Sequence, residues 1–197
     1  MTELSVVITV MNEEDNINPM VDAVESALAG INFELIFVDD GSTDATRQKI
    51  RQRANDHVIL VELRKNYGQS TAMTAGIDHA TGRYVALLDG DLQNDPTDIP
   101  SMLKLLKDED WDVVAGNRKN RQDGFILRKI PSKIANYLIR RWTKVFIKDY
   151  GCTLKIFKRE IAEDLGIYGE LHRFIPVLAA MQGARIRSEE RRVGKEC

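Results

Sequence analysis

Short apolar runs alternate with amphipathic segments of helical length over the first 118 residues of the chain. The apolar runs are Leu4–Met11, Phe33–Val38, Val58–Val61, Val85–Leu88 and Trp111–Ala115. Apolar runs bounded by turn residues are typical of buried strands, and a parallel strand that is covered on both faces is continuously apolar. Strands that alternate with helices predict βαβ units with right-handed crossovers. The predicted fold class is therefore α/β, with a mostly parallel sheet flanked by helices.

Helices are predicted between these strands and again after residue 130. The predicted helices run from Ile17 to about Ala29, from the 42–43 turn to about Asn55, from Ser70 to His79, from the Pro96–Pro100 region to about Lys107, from Ile130 to Val145, from Arg159 to Leu165 and from Pro176 to Gln182. Asn12 or Asp15 is expected to cap the first helix, and Ser42 or Thr43 the second. A further strand is predicted to end at Phe157.

Polar side chains follow every predicted strand of the first 118 residues. These strand ends carry Met11-Asn12-Glu13, Asp39-Asp40, Arg64-Lys65, Asp89-Gly90-Asp91 and Gly116-Asn117-Arg118. Ligands of open α/β sheets bind outside the carboxyl ends of the strands. The sequence therefore predicts an electronegative crevice at this edge. If the ligand is an anion, a metal ion or nearby basic side chains must supply positive charge for its binding.

The two aspartates after the fourth strand have the spacing of a metal site. Residues i and i+2 of a strand point the same way, so Asp89 and Asp91 can converge, and Gly90 lets the backbone bend between them. With the side-chain oxygen of Gln93 they would suit a hard divalent ion such as Mg²⁺ or Mn²⁺. The alternative is a solvated turn, which is the commoner fate of an isolated Asp-Gly-Asp.

Composition limits the functional classes. With 197 residues, 43% hydrophobic and 29% charged, the chain has the values of one soluble globular domain. A net charge of −2 gives no overall attraction to nucleic acid, so no nucleic-acid partner is expected. Two cysteines form no disulfide framework and favour a reducing compartment. No signal peptide and no stretch of about 18 apolar residues is present, so no transmembrane helix is expected in this chain.

Basic residues are concentrated between positions 118 and 148. This segment contains ten lysines and arginines and a single acidic residue, Asp123. On the predicted helix 130–145, apolar residues lie beside Arg140, Arg141 and Lys144. We expect its apolar stripe to face the core, with contact to a membrane surface as the alternative.

Six stretches of the chain resemble the motifs of a known family. They are Val6-Val-Ile-Thr-Val-Met-Asn-Glu-Glu14, Val38-Asp-Asp-Gly-Ser-Thr-Asp44, Leu63-Arg-Lys-Asn-Tyr-Gly-Gln69, Leu88-Asp-Gly-Asp-Leu-Gln93, Gly116-Asn-Arg118 and Asp149-Tyr-Gly-Cys152. In this order and spacing, over residues 4 to about 187, they resemble the inverting nucleotide-sugar glycosyltransferases of family 2. The resemblance is greatest to the branch that transfers a sugar to polyprenyl phosphate, such as dolichyl-phosphate mannose synthases and undecaprenyl-phosphate glycosyltransferases.

The resemblance implies a GT-A fold and a role for each motif. Thr9, Met11, Glu13, Asp39 and Asp40 would line the nucleotide pocket, with Asp39 near the base, and Arg64, Lys65, Gly68 and Gln69 would border it. Asp89, Asp91 and Gln93 would bind Mg²⁺ or Mn²⁺ that bridges the donor diphosphate. Arg118 and Arg128, with Ser132, would hold the lipid phosphate. Asp40 and Asp44 could instead be turn and capping residues, and His172 could contact the sugar or lie on a surface loop.

The implied reaction needs no general base, because a phosphate acceptor is already anionic at pH 7. Inversion by in-line displacement is then expected, with Asp149 orienting the sugar or an arginine. One alternative is a family 2 enzyme that acts on a saccharide hydroxyl with Asp149 as base. Another is a truncated nucleotide-binding domain without activity.

The resemblance also implies partners and a location. The expected donor is a nucleotide sugar, with UDP favoured over GDP, and the expected acceptor is polyprenyl phosphate at the inner, cytoplasmic face of a membrane. Homo-oligomerisation stays an open alternative. Residues 1–187 are expected to form the catalytic domain, and residues 188–197 a tail of unrecognisable type, since the family pattern stops near Ile186.

Overall fold

A computed structural model of the chain describes residues 2–118 and 152–191. Its strands are β1 Leu4–Val10, β2 Phe33–Asp39, β3 Val58–Glu62, β4 Tyr84–Asp89, β5 Val113–Arg118, β6 Lys155–Lys158 and β7 Ile186–Arg191. Its α-helices are α1 Ile17–Ala27, α2 Thr46–Arg53, α3 Gln69–His79, α4 Ile99–Asp108, α5 Arg159–Glu163 and α6 Ile175–Met181. Short 3₁₀ turns lie at Pro96–Asp98 and Leu171–Phe174. In these two ranges, no helix is long and apolar enough to cross a membrane.

The seven strands form one sheet in the order β3-β2-β1-β4-β6-β5-β7. β1 pairs in parallel with β2 and β4, and β2 pairs in parallel with β3. β6 is antiparallel to both β4 and β5, so β5 runs in the direction of β4 although it is not its neighbour. The predicted mostly parallel sheet is confirmed, and the carboxyl ends of β1 to β5 lie at one edge.

Both faces of the sheet are covered, which explains the continuous apolar runs. Successive side chains of β1 enter opposite layers: Val6 packs in one core with α1 and α4, and Val7 packs in the other with α3. A Cβ atom on Gly76 would overlap the side chains of Val7 and Val38, so the glycine lets α3 approach the sheet closely. This contact places the amino end of α3 beside the carboxyl ends of β1 and β2.

The predicted caps of the first two helices are wrong. The N-cap of α1 is Asn16 and that of α2 is Ala45, and neither makes a side-chain capping bond. The expected capping residues instead tie two loops together: the Asn12 N–H donates to Ser42 Oγ (2.9 Å), and the Thr43 N–H donates to Asn12 Oδ1 (2.9 Å). The positions of Asn12, Ser42 and Thr43 are therefore determined by contacts between distant parts of the chain and not by local capping preferences.

Strand β7 crosses the boundary that was expected at residue 187. It pairs in parallel with β5, with Val113 opposite Ile186 and Ala115 opposite Ser188. The Arg185 N–H just before it donates to Asp112 Oδ2 (2.8 Å), which joins the starts of the two strands. Residues 188–191 are therefore part of the sheet, although their charged sequence carries no apolar strand pattern.

A buried carboxylate joins three chain segments at the opposite edge of the sheet. Glu34 is 7% exposed, and its Oε1 accepts hydrogen bonds from Ser5 Oγ (2.5 Å), the Thr81 N–H (2.6 Å) and the Gly82 N–H (3.2 Å). These bonds connect β1, β2 and the turn before β4. The Thr81 hydroxyl donates to the same oxygen (3.0 Å). Since all four donors meet one oxygen atom, the bonds need an acceptor at that point and not a particular charge.

We expect Glu34→Leu to lower the free energy of unfolding by about 2–4 kcal/mol, because buried donors would lose their acceptor. Glu34→Gln keeps an oxygen at this position and should lose less than half as much. Urea unfolding of the three proteins measures both values. Equal losses in the two variants would contradict this role of Glu34.

Candidate active site

A cleft of about 340 Å³ opens where the carboxyl ends of β1 and β4 meet the amino end of α3. Its volume is within the usual range of small-molecule sites. Eight of the predicted site residues line it: Thr9, Met11, Glu13, Asp40, Gly68, Gln69, Asp89 and Asp91. Val10, Asn66, Ala72 and Gly90 complete the wall. The structure thus brings together residues from four separate motifs.

Asp89 is held by hydrogen bonds from two sides of the cleft. Gln69 Nε2 donates to its Oδ1 (2.6 Å), and Thr153 Oγ1 donates to its Oδ2 (2.5 Å). Burial raises the pKa of Asp89 above its usual value, the charge of Asp91 raises it further, and the two hydrogen bonds and the Lys155 charge act in the opposite direction. Asp89 is therefore a fixed carboxylate whose negative charge is poorly solvated.

The turn after β4 brings the second carboxylate to the same cleft. The Gly90 N–H donates to Thr9 O (3.2 Å), and a Cβ atom on Gly90 would lie 2.5 Å from Val10 Cγ1. The Gln93 N–H donates to Asp91 Oδ1 (3.1 Å). The Gln93 side chain is exposed and is not among the cleft-lining residues.

The two carboxylates fit a hard divalent cation as a partial ligand set. Within residues 2–118 and 152–191, no group of three or more His, Cys, Asp or Glu side chains could hold a metal ion. Asp89 and Asp91 both line the cleft and repel each other, and a shared cation would relieve this repulsion. Mg²⁺ is commonly bound by one or two carboxylates together with substrate phosphates and water. The remaining ligands would then come largely from the bound substrate.

Neighbouring Asp39 and Asp40 have different surroundings. Asp39 is fully buried away from the cleft wall, where it accepts hydrogen bonds from the Ser42 N–H (3.2 Å) and from Arg47 Nε (2.5 Å). Asp40 lines the cleft. Its two oxygens accept the Tyr67 N–H (2.7 Å) and the Gly68 N–H (2.9 Å). Asp40 therefore fixes the loop that begins α3.

The loop 64–68 packs on the turn that follows β2. Gly41 has a φ of +84°, and a Cβ atom there would lie 2.5 Å from the Asn66 backbone nitrogen, so both the turn and the close approach require glycine. Arg64 and Lys65 are exposed and are not among the cleft-lining residues, and Lys65 Nζ lies 5.2 Å from the Tyr67 ring centroid.

The first loop supplies the remaining predicted cleft residues. Met11 is 45% exposed, and its sulfur accepts a hydrogen bond from Asn66 Nδ2 (2.8 Å). Glu13 accepts from Asn16 Nδ2 (2.6 Å), and its own N–H donates to Thr46 Oγ1 (2.8 Å). These bonds hold the two side chains at the edge of the cleft.

Asp44 is a turn residue just before α2, which was the expected alternative to a ligand contact. Its Oδ1 accepts from the Thr46 N–H (3.0 Å) and its Oδ2 from the Glu14 N–H (3.3 Å). Burial acts to raise the pKa of Asp44, but these hydrogen bonds more than offset it and the net shift is downward.

His172 is half-buried against α3. Its Nδ1 lies 3.0 Å from the hydroxyl of the buried Ser70. Burial lowers the pKa of His172; the charge of Glu170 opposes this effect, and the charges of Arg173 and Lys155 add to it. This histidine is not among the cleft-lining residues.

Sequence reasoning missed Asn66, Thr153 and Lys155. Asn66 was inside a recognised motif, but no pattern in the sequence marked it as a cleft residue. Thr153 and Lys155 reach the Asp89 region because β6 is antiparallel between β4 and β5. The structure does not describe the side chains of four further predicted site residues, which are Arg118, Arg128, Ser132 and Asp149.

The sheet, with its acidic cleft at the carboxyl edge, has the architecture of a GT-A glycosyltransferase domain. Residues 5–166 match the sequence model of a protein family that is described as "Glycosyl transferase family 2". The chain belongs to this family, and the resemblance seen in the sequence is confirmed.

Two curated relatives are similar over 90% of this chain. It is 51% identical over 183 residues to a dodecaprenyl-phosphate galacturonate synthase of Rhizobium johnstonii, and it covers 54% of that protein. It is 41% identical over 182 residues to an undecaprenyl-phosphate 4-deoxy-4-formamido-L-arabinose transferase of Klebsiella pneumoniae, and it covers 55% of that protein. The chain thus spans about half the length of these relatives.

Solved structures share the fold at low sequence identity. A mannosyltransferase of Pyrobaculum calidifontis in complex with GDP-Man and Mn²⁺ superposes with a TM-score of 0.73 at 23% identity, over 98% of this chain and 56% of that chain. A glucosyl-3-phosphoglycerate synthase of Mycobacterium tuberculosis with Mn²⁺ and UDP-glucose gives a TM-score of 0.76 at 18% identity, over 100% and 71%. These likenesses confirm the predicted GT-A fold.

We expect Asp40→Asn to loosen the loop 64–68, because an amide offers one acceptor where the carboxylate offers two. Amide hydrogen exchange at Tyr67 should become about tenfold faster, and exchange at Gly68 should change less, because the Gly68 N–H also donates to Asn66 Oδ1 (2.9 Å). Asp78→Asn, at an exposed position on α3, is the matched control and should leave these amides unchanged. Unaltered exchange at both amides in Asp40→Asn would show that Asp40 does not fix the loop.

Proposed function

We propose that this domain transfers a sugar from a nucleotide-sugar donor, with UDP favoured, to polyprenyl phosphate, with inversion at the anomeric carbon. The observation that carries the proposal is the pair of carboxylates, Asp89 and Asp91, that line a cleft in a family 2 domain. The names of the 51% and 41% identical relatives, a dodecaprenyl-phosphate and an undecaprenyl-phosphate sugar transferase, support the acceptor class. The proposed location is the cytoplasmic face of a membrane.

The cleft supports binding of the donor in a defined direction. The nucleoside would lie along Thr9, Met11 and the loop that Asp40 fixes, since these line the cleft on the β1 and α3 side. The diphosphate would then lie over Asp89 and Asp91. Base contact by Asp39 and pocket contacts by Arg64 and Lys65 stay predictions, because these three side chains do not line the cleft.

Asp89 and Asp91 would hold Mg²⁺ or Mn²⁺, with Gln93 as a predicted third oxygen ligand. When bound, the ion neutralises negative charge on the leaving nucleoside diphosphate. Two structural neighbours contain Mn²⁺ with a nucleotide sugar, which supports a divalent ion in this fold. Gln69 and Thr153 would keep Asp89 oriented toward the ion, because each donates a hydrogen bond to one of its oxygens.

The acceptor determines what the other residues must do. A phosphate monoester is anionic at pH 7 and can attack without a general base, so positioning and charge neutralisation are the main requirements. We assign the holding of this phosphate to Arg118 and Arg128 with Ser132, because the guanidinium group binds phosphate in a bidentate way. Asp149 would orient the sugar or one of these arginines.

Asp91→Asn should abolish Mn²⁺-dependent binding of the donor nucleotide while leaving the thermal unfolding midpoint unchanged. Changes to the partners of metal ligands alone commonly weaken binding by about tenfold or more, so loss of a ligand itself should leave no measurable Mn²⁺-dependent binding. Calorimetric titration of the variant measures the affinity. Asp108→Asn, at an exposed position at the end of α4, is the charge-matched control. Unchanged affinity in Asp91→Asn would contradict the metal assignment.

Transfer itself is tested with a radiolabelled UDP-sugar and a short-chain polyprenyl phosphate in detergent, and in a parallel reaction with an oligosaccharide in place of the lipid. We expect label in the organic phase only when Mn²⁺ and the lipid phosphate are both present. Label on a saccharide acceptor instead would favour the enzyme that uses Asp149 as base. Binding of the donor without transfer to either acceptor would favour a non-catalytic domain.

A further inference from the structure

A buried lysine lies on the strand that pairs with β4, the strand that leads to the carboxylate pair. Lys155 is the first residue of β6, is 2% exposed, and pairs with Leu87 two residues before Asp89. A buried ammonium group is costly unless hydrogen bonds and opposite charge compensate it. Its presence in the core at this point therefore requires a physical reason.

The ammonium group fixes the chain segment that carries Thr153. Lys155 Nζ donates to the backbone oxygen of Cys152, three residues earlier. Between them, Thr153 donates to Asp89 Oδ2 (2.5 Å). The Cys152 side chain is buried, and its sulfur lies 3.6 Å from Asn94 Oδ1 in the turn that follows Asp91. The segment 152–154 therefore contacts both the end of β4 and the turn after it.

The charge of Lys155 also acts on the carboxylate of Asp89. Burial raises the pKa of Asp89, and the Lys155 charge is one of the effects that oppose this rise. His172 also experiences this charge, after the larger effect of its own burial. Lys155 thus supplies positive charge inside the protein that acts on Asp89.

We propose that Lys155 is a positioning residue for the metal and donor site: it holds segment 152–154 so that the Thr153 hydroxyl orients Asp89. Because Cys152 in the same segment contacts Asn94, Lys155 also fixes the turn 90–95. The inference rests on the proposed function for its effect on ligand binding, but the effect on the turn can be measured without any ligand.

The first measurement is hydrogen–deuterium exchange of the ligand-free protein. Lys155→Met and Thr153→Val should each speed exchange in residues 90–95 at least tenfold. Lys158→Met is the control, because it removes a lysine from the same strand at its other end, where Lys158 is paired with Asp110 and Asp112. This control should leave exchange in residues 90–95 unchanged. Unchanged exchange in both test variants would overturn the inference, whether or not the protein binds a nucleotide.

The second measurement is calorimetric titration of UDP in the presence of Mn²⁺. Each single variant should weaken binding about tenfold, and the double variant should also lose about tenfold, because both changes remove one shared contact. Lys155→Arg keeps the charge and N–H donors and should bind within about threefold of the original protein. A hundredfold loss in the double variant would show independent effects and overturn the inference.

The two measurements separate the inference from the proposed function. If the original protein binds no Mn²⁺–UDP, the proposed donor is wrong, and the exchange data alone decide the role of Lys155. If Lys155→Met does not fold, Thr153→Val decides the inference, since it replaces a hydroxyl with a methyl group at a partly exposed position. Unchanged exchange in residues 90–95 of Thr153→Val would then overturn the inference.

Discussion

Mutual repulsion of Asp89 and Asp91 is the constraint on which the site depends. Their charges are brought together at the carboxyl end of β4, in a partly buried place where burial and the neighbouring charge both raise the pKa of Asp89. The protein compensates with N–H and O–H donors from Gln69 and Thr153 and with the buried Lys155. These interactions hold Asp89 in the cleft beside Asp91, and a divalent cation with a diphosphate would complete the neutralisation.

Much of the polar sequence near the cleft builds the scaffold of the site. The acidic and hydroxyl residues after β2 bond mainly to backbone N–H groups of other loops, as Asp40 does with Tyr67 and Gly68. Asp39 is paired with Arg47 inside the protein. These bonds set the relative positions of the loops after β1, β2 and β3. The cleft is therefore a consequence of loop-to-loop hydrogen bonding on a sheet that is packed on both faces.

The sequence predicted those parts of the structure that local pattern determines. Continuous apolar runs identified β1 to β5, and their polar ends identified the edge where the cleft lies. Long-range contacts decided the rest: Asn12 and Ser42 join two loops and do not cap helices, and Gln93 is exposed beside the cleft. The antiparallel insertion of β6 is a property of the whole sheet, so the positions of Thr153 and Lys155 could not be derived from spacing.

The central claim is that the acidic cleft binds a nucleoside diphosphate through a divalent ion. Calorimetric titration of UDP and of GDP into the purified chain, first with Mn²⁺ and then with EDTA, tests this claim most directly. We predict that UDP binds at one site in the presence of Mn²⁺ and that EDTA removes this binding. Failure of both nucleotides to bind, or binding that EDTA does not affect, would contradict the account.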